Sequence, residues 1–390
     1  MNPQPQNNDE NLMRQQLFIN ENNKLIEQFK ASLVEKKKGN KVQVQKFDNG
    51  ENYEGEIDGG MRKGLGIYIF GSGDIYFGQW NDSFEGEGTY IYQNGERYKG
   101  QFNKGKKEGQ GIYYYYLIGA EYNGTWVNDQ REGFGKFRYQ NGDVYEGNWF
   151  RGFKSGQGTL ILANGDHFQG EWKNNKKNGY GTYIFVSGSR YEGIWLNDQF
   201  HQQGILSFSN GDRYEGIFKN GQKIREGVYK YAIDGSEYQG EWLRDQRNGN
   251  GKMKYANGDF YDGFWQKGQR YGKGCYKYNN GDQYEGEFVN DQKHGSGVLK
   301  MISGDIYEGE WIQGKKNGKG LYRFANHDIY DGYFVDGLRQ GQGRYQWNDN
   351  SYYVGNWDKD RMNGKGLYMS HDGVQVDGIF DNDRYVGSAD

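Results

Sequence analysis

Histidines and a cysteine are the residues of this sequence with the side chains most often used for metal binding or nucleophilic catalysis. The five histidines are His167, His201, His294, His327 and His371. No two of them are four residues apart, and none has a second ligand at metal-binding spacing, so we expect structural or surface roles. Cys275 follows Gly274 at an outward-facing strand position without a nearby histidine to activate it. We therefore expect no nucleophile here.

Two other patterns imitate functional motifs. Gly64-Leu65-Gly66 has the glycine spacing of a dinucleotide loop, but it leads into a predicted strand. Phosphate binding by such a loop needs the N-terminus of a helix. Glu285 and Glu287 could form an acid/base pair, but the same spacing recurs along the chain, as in a solvent-facing row. The sequence thus predicts no catalytic residue, no cofactor and no metal.

The composition narrows the class of protein that must position these residues. The chain has 390 residues with 65 Gly, only 2 Pro and 17% aromatic residues. Disordered chains lack the aromatics, collagen needs proline, and helical bundles do not tolerate so much glycine. One cysteine excludes a disulfide framework. A net charge of −3 gives no global attraction to nucleic acid or anionic lipid. We expect a soluble, intracellular, β-rich repeat protein.

A repeat of about 23 residues fills most of the chain. Its Tyr-x-Gly motif begins at Tyr53, Tyr76, Tyr98, Tyr122, Tyr145, Tyr191, Tyr214, Tyr238, Tyr261, Tyr284, Tyr307, Tyr330 and Tyr353, with Phe168 and Val376 at the two substituted positions. The spacings are 22 to 24 residues. Fourteen full repeats and a truncated fifteenth therefore cover residues 53–390.

Each repeat is predicted to form two short antiparallel strands with one aromatic face. Tyr307, Gly309 and Trp311 are two residues apart and share a face, and Gly318, Gly320 and Tyr322 are expected to do the same. Glycine leaves room there for the large rings. Side-chain parity predicts a three-residue turn at 141–143, where Gly142 takes the left-handed position, and an even loop such as 151–154 at the other end.

Several repeats depart from the pattern. The third and eighth carry one extra residue, which we expect a β-bulge in the second strand to absorb. The first glycine of the Gly-x-Gly pair is replaced by Gln202 and Arg225 in consecutive repeats. We expect both side chains to face inward, where they would displace a ring or project into a groove. Residues 200–228 are thus predicted to form a bend or a partner contact, with neutral drift as the alternative.

Tyr-Glu-Gly-Glu-Trp followed by Gly-x-Gly at this period resembles the MORN repeat over residues 53–387. The resemblance implies an all-β fold: an elongated, twisted single sheet of about 15 antiparallel β-hairpins with a groove on one side. Families built on this repeat include radial spoke head proteins of cilia, cortical cytoskeletal scaffolds and junctophilin-like membrane tethers. Residues 45–390 are assigned to the array, and residues 1–44 to a polar tail with a short helical segment.

The N-terminal segment is free of glycine from Asp9 to Lys38. Ile19, Ile26, Phe29 and Leu33 follow a helical seam, and the polar run 20–23 could divide the helix into two pieces. The helix either folds back over the first edge strand, which protects the edge, or docks on a partner.

Basic residues recur nine positions after the repeat's first aromatic residue. They are Arg62, Lys107, Arg131, Lys154, Lys177, Lys223, Arg247, Arg270, Lys293, Lys316 and Arg339. In a regular sheet they would line one long edge. One interpretation is solubility with weak pairing to neighbouring carboxylates. The other is a track that binds an acidic partner, to which Gln202 and Arg225 would add contacts in the groove.

The function predicted from these features is structural rather than catalytic. Residues 1–52 are too few for an added catalytic domain. We expect a scaffold in a large cytoskeletal assembly, the ciliary axoneme by resemblance to radial spoke head proteins, in the cytoplasm and cytoskeleton. Expected partners are other axonemal or cytoskeletal proteins, another MORN-repeat protein or a second copy of the chain, with no nucleic acid and weak or no membrane binding. The alternative is a peripheral membrane tether that binds acidic phospholipid through the basic edge.

Overall fold

The computed structural model describes residues 8–37 and 42–388, which contain one helix and 31 strands. The chain divides into two compact units, Met1–Gln199 and Phe200–Asp390. The predicted all-β, open antiparallel sheet of hairpin repeats with an N-terminal helix is confirmed. Within the described ranges, no helix is both long and apolar enough to cross a membrane.

The N-terminal unit contains the helix and the first fourteen strands. They are α1 (Asn8–Lys37), β1 (Val42–Lys46), β2 (Asn52–Asp58), β3 (Met61–Ile69), β4 (Ile75–Asn81), β5 (Ser83–Ile91), β6 (Arg97–Asn103), β7 (Lys106–Tyr115), β8 (Ala120–Val127), β9 (Gln130–Arg138), β10 (Val144–Phe150), β11 (Phe153–Ile161), β12 (His167–Lys173), β13 (Lys176–Ile184) and β14 (Arg190–Leu196). From β1 to β14, consecutive strands of this unit pair antiparallel.

The C-terminal unit continues the same pattern. Its strands are β15 (Gln199–Ser207), β16 (Arg213–Lys219), β17 (Gln222–Lys230), β18 (Glu237–Leu243), β19 (Gln246–Lys254), β20 (Phe260–Gln266), β21 (Gln269–Lys277), β22 (Gln283–Val289), β23 (Gln292–Lys300), β24 (Ile306–Ile312), β25 (Lys315–Arg323), β26 (Ile329–Val335), β27 (Leu338–Gln346), β28 (Tyr352–Asp358), β29 (Arg361–Met369), β30 (Gln375–Asp381) and β31 (Arg384–Gly387). Neighbours in sequence again pair antiparallel.

The turns have the predicted parity but differ in position or length. Tyr139 and Asp143 close a three-residue turn at 140–142, since the Tyr139 N–H donates to the Asp143 carbonyl oxygen at 2.9 Å. Gly142 has a φ of 91°, as the left-handed position of this turn requires. The turn therefore lies one residue earlier than predicted. At the other end, Arg151-Gly152 is a two-residue turn with both φ values positive, which makes the predicted loop 151–154 too long.

A β-bulge recurs in the hairpins of both units, and the sequence analysis did not predict it. In one repeat Gly309 pairs with Gly320 and Trp311 pairs with Lys316, so Glu310 alone opposes three residues. Gly318 lies within the bulge and has a φ of 64°. The bulge changes the side-chain parity, and the expectation that Gly318 shares a face with Gly320 is therefore wrong.

The extra residues of the third and eighth repeats lie in turns, not in strands. Tyr115 pairs with Ala120 across a four-residue turn, and the Tyr231 N–H donates to the Ser236 carbonyl oxygen across another. The strand register is unchanged in both repeats. The predicted bulges at these positions are therefore wrong, because a longer turn absorbs one residue without disturbing the ladder.

Helix α1 packs against one face of the N-terminal sheet. It is continuous through residues 20–23, where the sequence suggested a break. Leu33 is fully buried in a cluster with Ile67, Phe77 and Ile91. Toward the helix N-terminus, the Phe18 ring stacks on the Tyr116 ring with centroids 5.4 Å apart. The helix therefore crosses a sheet face from β3 to β7, which goes beyond covering an edge strand and adds a second apolar layer there.

Between these ends, a polar contact joins the helix to the sheet. Asn22 is buried, and its side-chain oxygen accepts a hydrogen bond from the Arg97 guanidinium at 2.8 Å. The same guanidinium lies 4.4 Å from the Tyr114 ring centroid. Ile19, placed on the predicted seam, is 43% exposed, and Phe18 takes its place against the sheet.

Candidate functional site

The sheet has two chemically different faces. The ring face carries the Tyr and the Trp or Phe of each repeat, and the polar face carries the residues between them. On the ring face Tyr261 and Trp265 are almost completely buried, with ring centroids 5.2 Å apart in an edge-to-face arrangement. The Tyr261 hydroxyl donates to the Phe264 carbonyl oxygen at 3.0 Å. The rings are therefore fixed by hydrogen bonds as well as by packing.

Tryptophans on the ring face connect successive repeats. The indole N–H donates to the carbonyl oxygen of the second glycine in the preceding repeat, at 3.0 to 3.3 Å, from Trp80, Trp126, Trp149, Trp172, Trp195, Trp242, Trp265, Trp311 and Trp357. Where phenylalanine replaces tryptophan, as at Phe288, the side chain has no N–H to donate, and its contact with the preceding repeat is packing alone.

The eleven basic residues predicted to line an edge lie over the aromatic rings. Their charged groups are 4.2 to 5.9 Å from at least two ring centroids each, in Arg62, Lys107, Arg131, Lys154, Lys177, Lys223, Arg247, Arg270, Lys293, Lys316 and Arg339. Such cation–π contacts are worth about 0.5–2 kcal/mol each. These bases therefore hold rings together, and their binding of a partner stays a prediction.

Carboxylates of the following repeat complete some of these contacts. Asp291 accepts from the Arg270 guanidinium at 3.1 Å, and Asp360 accepts from Arg339 at the same distance.

Lys154 is only 9% exposed, and burial lowers the pKa of its ammonium group to about 8. In the second repeat, Phe84 takes the position of the base and stacks on Tyr76 with centroids 4.0 Å apart.

The aspartates of the three-residue turns connect neighbouring turns. Asp212 accepts from the Ala232 N–H at 2.8 Å and from the Tyr229 hydroxyl at 2.7 Å. These two hydrogen bonds lower the pKa of the Asp212 carboxyl. Asp166 and Asp259 make the equivalent contacts, so the aspartate of Asn-Gly-Asp has a structural role.

Gln202 and Arg225 lie on the polar face, so the expectation that they face inward is wrong. They occupy the bulge position, with φ values of 52° and 54°, and both side chains are exposed. A side chain at the equivalent Gly318 would meet the Glu310 carboxylate rather than a ring. Neither residue therefore displaces the buried rings.

The bulge also explains the second glutamate of Tyr-Glu-Gly-Glu-Trp. In one repeat the Glu241 carboxylate accepts from the Asn250 N–H at 2.8 Å, next to Gly249 in the bulge. Gln79 and Glu310 make the same contact with Glu87 and Lys319. The glycine at this position gives both the positive φ and the space for the carboxylate.

The polar face forms grooves within each unit. One in the C-terminal unit has a volume of 1240 Å³ and spans β20 to β26. Its charged lining residues are Asp262, Glu285, Glu287, Glu308, Glu310 and Asp331, with Lys273, Lys319 and Arg323. A second, of 660 Å³, begins near Gln203 and ends at the same Asp262. The N-terminal unit has a groove of 630 Å³ around Glu146.

The remaining sequence candidates are dispersed. The histidines lie on β12, β15 and β23 and in two turns, and in residues 8–37 and 42–388 no three side chains that could bind a metal ion lie together. Burial raises the pKa of the Cys275 thiol, which disfavours the thiolate needed for nucleophilic attack. Glu285 and Glu287 both line the large groove.

The geometry defines a repeat protein in which each hairpin contributes one set of rings and one stretch of polar face. The MORN repeat family model matches residues 53–75, 76–97, 98–116, 122–144, 145–167, 168–190, 191–213, 214–236, 238–260, 261–283, 284–306, 307–329, 330–352 and 353–375. The chain belongs to the MORN repeat family.

Two solved structures that resemble the chain do so only weakly. The TCP domain of SAS-4 (dCPAP) of Drosophila melanogaster, solved with a proline-rich motif of Ana2, is 16% identical over 45% of this chain and 83% of that chain, with a TM-score of 0.24. The TCP10 domain of Danio rerio CPAP is 13% identical over 56% and 92%, with a TM-score of 0.27. Similarities at this level carry no functional argument. No curated protein matches the chain.

Proposed function

We propose that this chain is a non-catalytic scaffold that binds other proteins within a large cytoskeletal assembly. The observation that supports it is the polar face of the C-terminal unit, where the 1240 Å³ groove extends across seven strands. A face repeated in this way can hold an elongated partner at several successive positions. The assembly we propose is the ciliary axoneme, on the sequence resemblance to radial spoke head proteins.

The positions of the basic residues argue against the membrane alternative. The amine of Lys316 lies 4.6 Å from the Tyr322 ring centroid, and the Arg339 guanidinium lies 4.2 Å from Trp357. A lipid phosphate would have to compete with these ring contacts. We therefore expect weak or no binding to acidic phospholipid.

Fractionation of ciliated cells tests this proposal. A tagged full-length chain should remain with axonemes after detergent extraction, and should be localised there by immuno-electron microscopy. A second experiment mixes the chain with vesicles of phosphatidylcholine and phosphatidylserine and separates them by flotation. We expect the chain not to float with the vesicles. Recovery in the detergent-soluble fraction would overturn the scaffold proposal. Flotation that is lost on neutralising Lys316 and Arg339 would instead support the membrane tether.

A further inference from the structure

One row of residues crosses the polar face of the C-terminal unit from β20 to β26. Each member is the direct cross-strand partner of the next, in the order Asp262, Cys275, Glu285, Val298, Glu308, Leu321 and Asp331. Carboxylates therefore alternate with small or apolar side chains. All four carboxylate residues are exposed, and the three residues between them are half-buried.

The spacing of this row matches an α-helix laid across the strands. Neighbouring strands are about 4.8 Å apart, so successive carboxylates in the row are about 10 Å apart. Seven residues of an α-helix rise about 10.5 Å. A helix with a basic residue at every seventh position would therefore meet one carboxylate with each. The residues three or four positions later would meet Cys275, Val298 and Leu321.

The N-terminal unit shows that this face accepts a helix in this orientation. Ile67 and Phe77, which pack against α1, occupy the repeat positions of Cys275 and Asp262. From Leu33 to Phe18, α1 rises about 22 Å. It passes from β3 to β7 over that length, which is about 19 Å of sheet. These lengths correspond to about one helical turn per strand.

The charges around the row specify the chemistry of the occupant. The row of carboxylates favours basic side chains, while Lys277, Lys300 and Arg323 lie two residues along their strands from Cys275, Val298 and Leu321. Arg323 is 3.7 Å from Glu308. A helix with acidic residues on one flank would complement these bases. Between Phe18 and Leu33, the described apolar contacts of α1 with the sheet include Phe18, Leu25, Phe29 and Leu33 and no basic residue, so a second copy of this stretch does not match the row.

We propose that the row binds an amphipathic α-helix of a partner protein, with a basic residue at every seventh position and an apolar residue between successive bases. This inference rests on the proposed scaffold function and names the chemistry of its partner. Binding buries the row under one helix of about 20 residues.

A synthetic helical peptide with Lys at every seventh position and Leu midway between provides the probe. A peptide of the same composition with the heptad order scrambled is the control. Fluorescence anisotropy with the full-length chain measures affinity. Cys275 is the only cysteine, so its alkylation rate reports whether the row itself is covered. We expect binding of the ordered peptide and slower alkylation in the complex.

Charge reversal at two exposed positions tests the row directly. Glu285→Lys with Glu308→Lys should weaken ordered-peptide binding about tenfold, because two buried contacts become repulsive. Glu146→Lys with Glu192→Lys changes the same repeat position in the N-terminal unit and should leave affinity unchanged. Glu285→Gln with Glu308→Gln should give an intermediate loss, and circular dichroism checks that each variant folds.

Three results would overturn the inference: equal affinity for the two peptides, equal affinity in the reversed variant, or an unchanged alkylation rate at saturation. The scaffold proposal is tested separately, because the chain could fail to bind this peptide and still remain with extracted axonemes. Loss of axonemal retention in the unaltered chain would instead count against the scaffold.

Discussion

The indole N–H of Trp265 donates to the carbonyl oxygen of Gly251 at 3.0 Å, so a ring of one repeat is bonded to the backbone of the repeat before it. The same ring lies 5.4 Å from Tyr238 and 4.2 Å from the Arg247 guanidinium. Stability of each repeat is therefore coupled to its predecessor through a hydrogen bond, an aromatic contact and a cation.

Trp265→Phe should destabilise the two adjoining repeats by about 1 kcal/mol, because the Gly251 carbonyl oxygen loses its donor while most apolar contact remains. Phe288 and Phe334 show that phenylalanine fits this position in other repeats. Hydrogen exchange of β19 to β21 measures the change. The control Trp265→Ala should cost about 3–5 kcal/mol, because it leaves a cavity. Equal losses in the two variants would contradict the assigned hydrogen bond.

Gly320→Ala should destabilise β24 to β26 by more than 1 kcal/mol, because overpacking a close contact typically costs about 1–3 kcal/mol. A Cβ at Gly320 would lie 2.5 Å from a ring carbon and from the hydroxyl oxygen of Tyr307. Gly314→Ala is the matched control: its φ is 84°, but a Cβ there would meet no described atom within 4 Å. The control should show backbone strain alone, about 1 kcal/mol. Urea denaturation with proteolytic mapping compares the two, and a larger loss in the control would contradict the steric explanation.

Much of this fold follows from the sequence because the strand period and the repeat period are both explicit. Tyr307, Gly309 and Trp311 have the spacing of one strand face, and the structure confirms it. The bulge could not be predicted in the same way. Gly318 and Gly320 look alike in sequence, but one adopts a positive φ and the other accommodates a ring. Side-chain parity counted through a bulge gives the wrong face.

The basic residues and the α1 contact illustrate the same point. The regular spacing of the bases predicted an edge, but their charged groups lie over the rings. An edge and the top of a ring stack have the same spacing in sequence. The cation–π contacts could have been predicted from a different pattern. Each base follows the first aromatic residue of its repeat by nine positions, and a tryptophan or phenylalanine of the next repeat lies nearby. The α1 contact depended on Phe77, which takes a repeat position that is polar at Glu54, Glu146 and Glu308, and on the neighbouring apolar Ile67.

Arg225→Gly should stabilise β16 and β17 by about 1 kcal/mol, because Arg225 adopts a φ of 54° that costs a side chain about 1–2 kcal/mol. Arg225→Ala keeps that backbone penalty and removes the exposed side chain, so its stability should match the parent. Local hydrogen exchange is the measurement. If alanine stabilised the hairpin as much as glycine, the effect would belong to the arginine side chain rather than to φ.

Leu33→Ala should release helix α1 from the sheet without unfolding the ring face. Leu33 is fully buried, and removal of such a side chain costs about 2–5 kcal/mol. Val34 is 55% exposed, so Val34→Ala should have little effect. Limited proteolysis should cut α1 faster only in the Leu33 variant, while exchange protection of β8 to β14 stays unchanged. Unaltered cleavage would contradict the packing described here.

Lys154 should make stability depend on pH in the mildly alkaline range. Burial disfavours its ammonium form and lowers its pKa to about 8 in the folded protein, from 10.5 in the unfolded chain. The resulting penalty is fully present below pH 8 and is relieved as pH rises toward 10.5, because the unfolded chain then binds more protons. Contacts with Tyr145 and Trp172 favour the charged form and oppose part of this shift.

From pH 7 to 9.5 the free energy of unfolding of the parent should therefore rise by about 1–2 kcal/mol relative to that of Lys154→Met. The exposed Lys176→Met is the control and should follow the parent at every pH. Urea titrations at each pH measure the difference, and parallel curves for the parent and Lys154→Met would show that the ring contacts cancel the cost of burial.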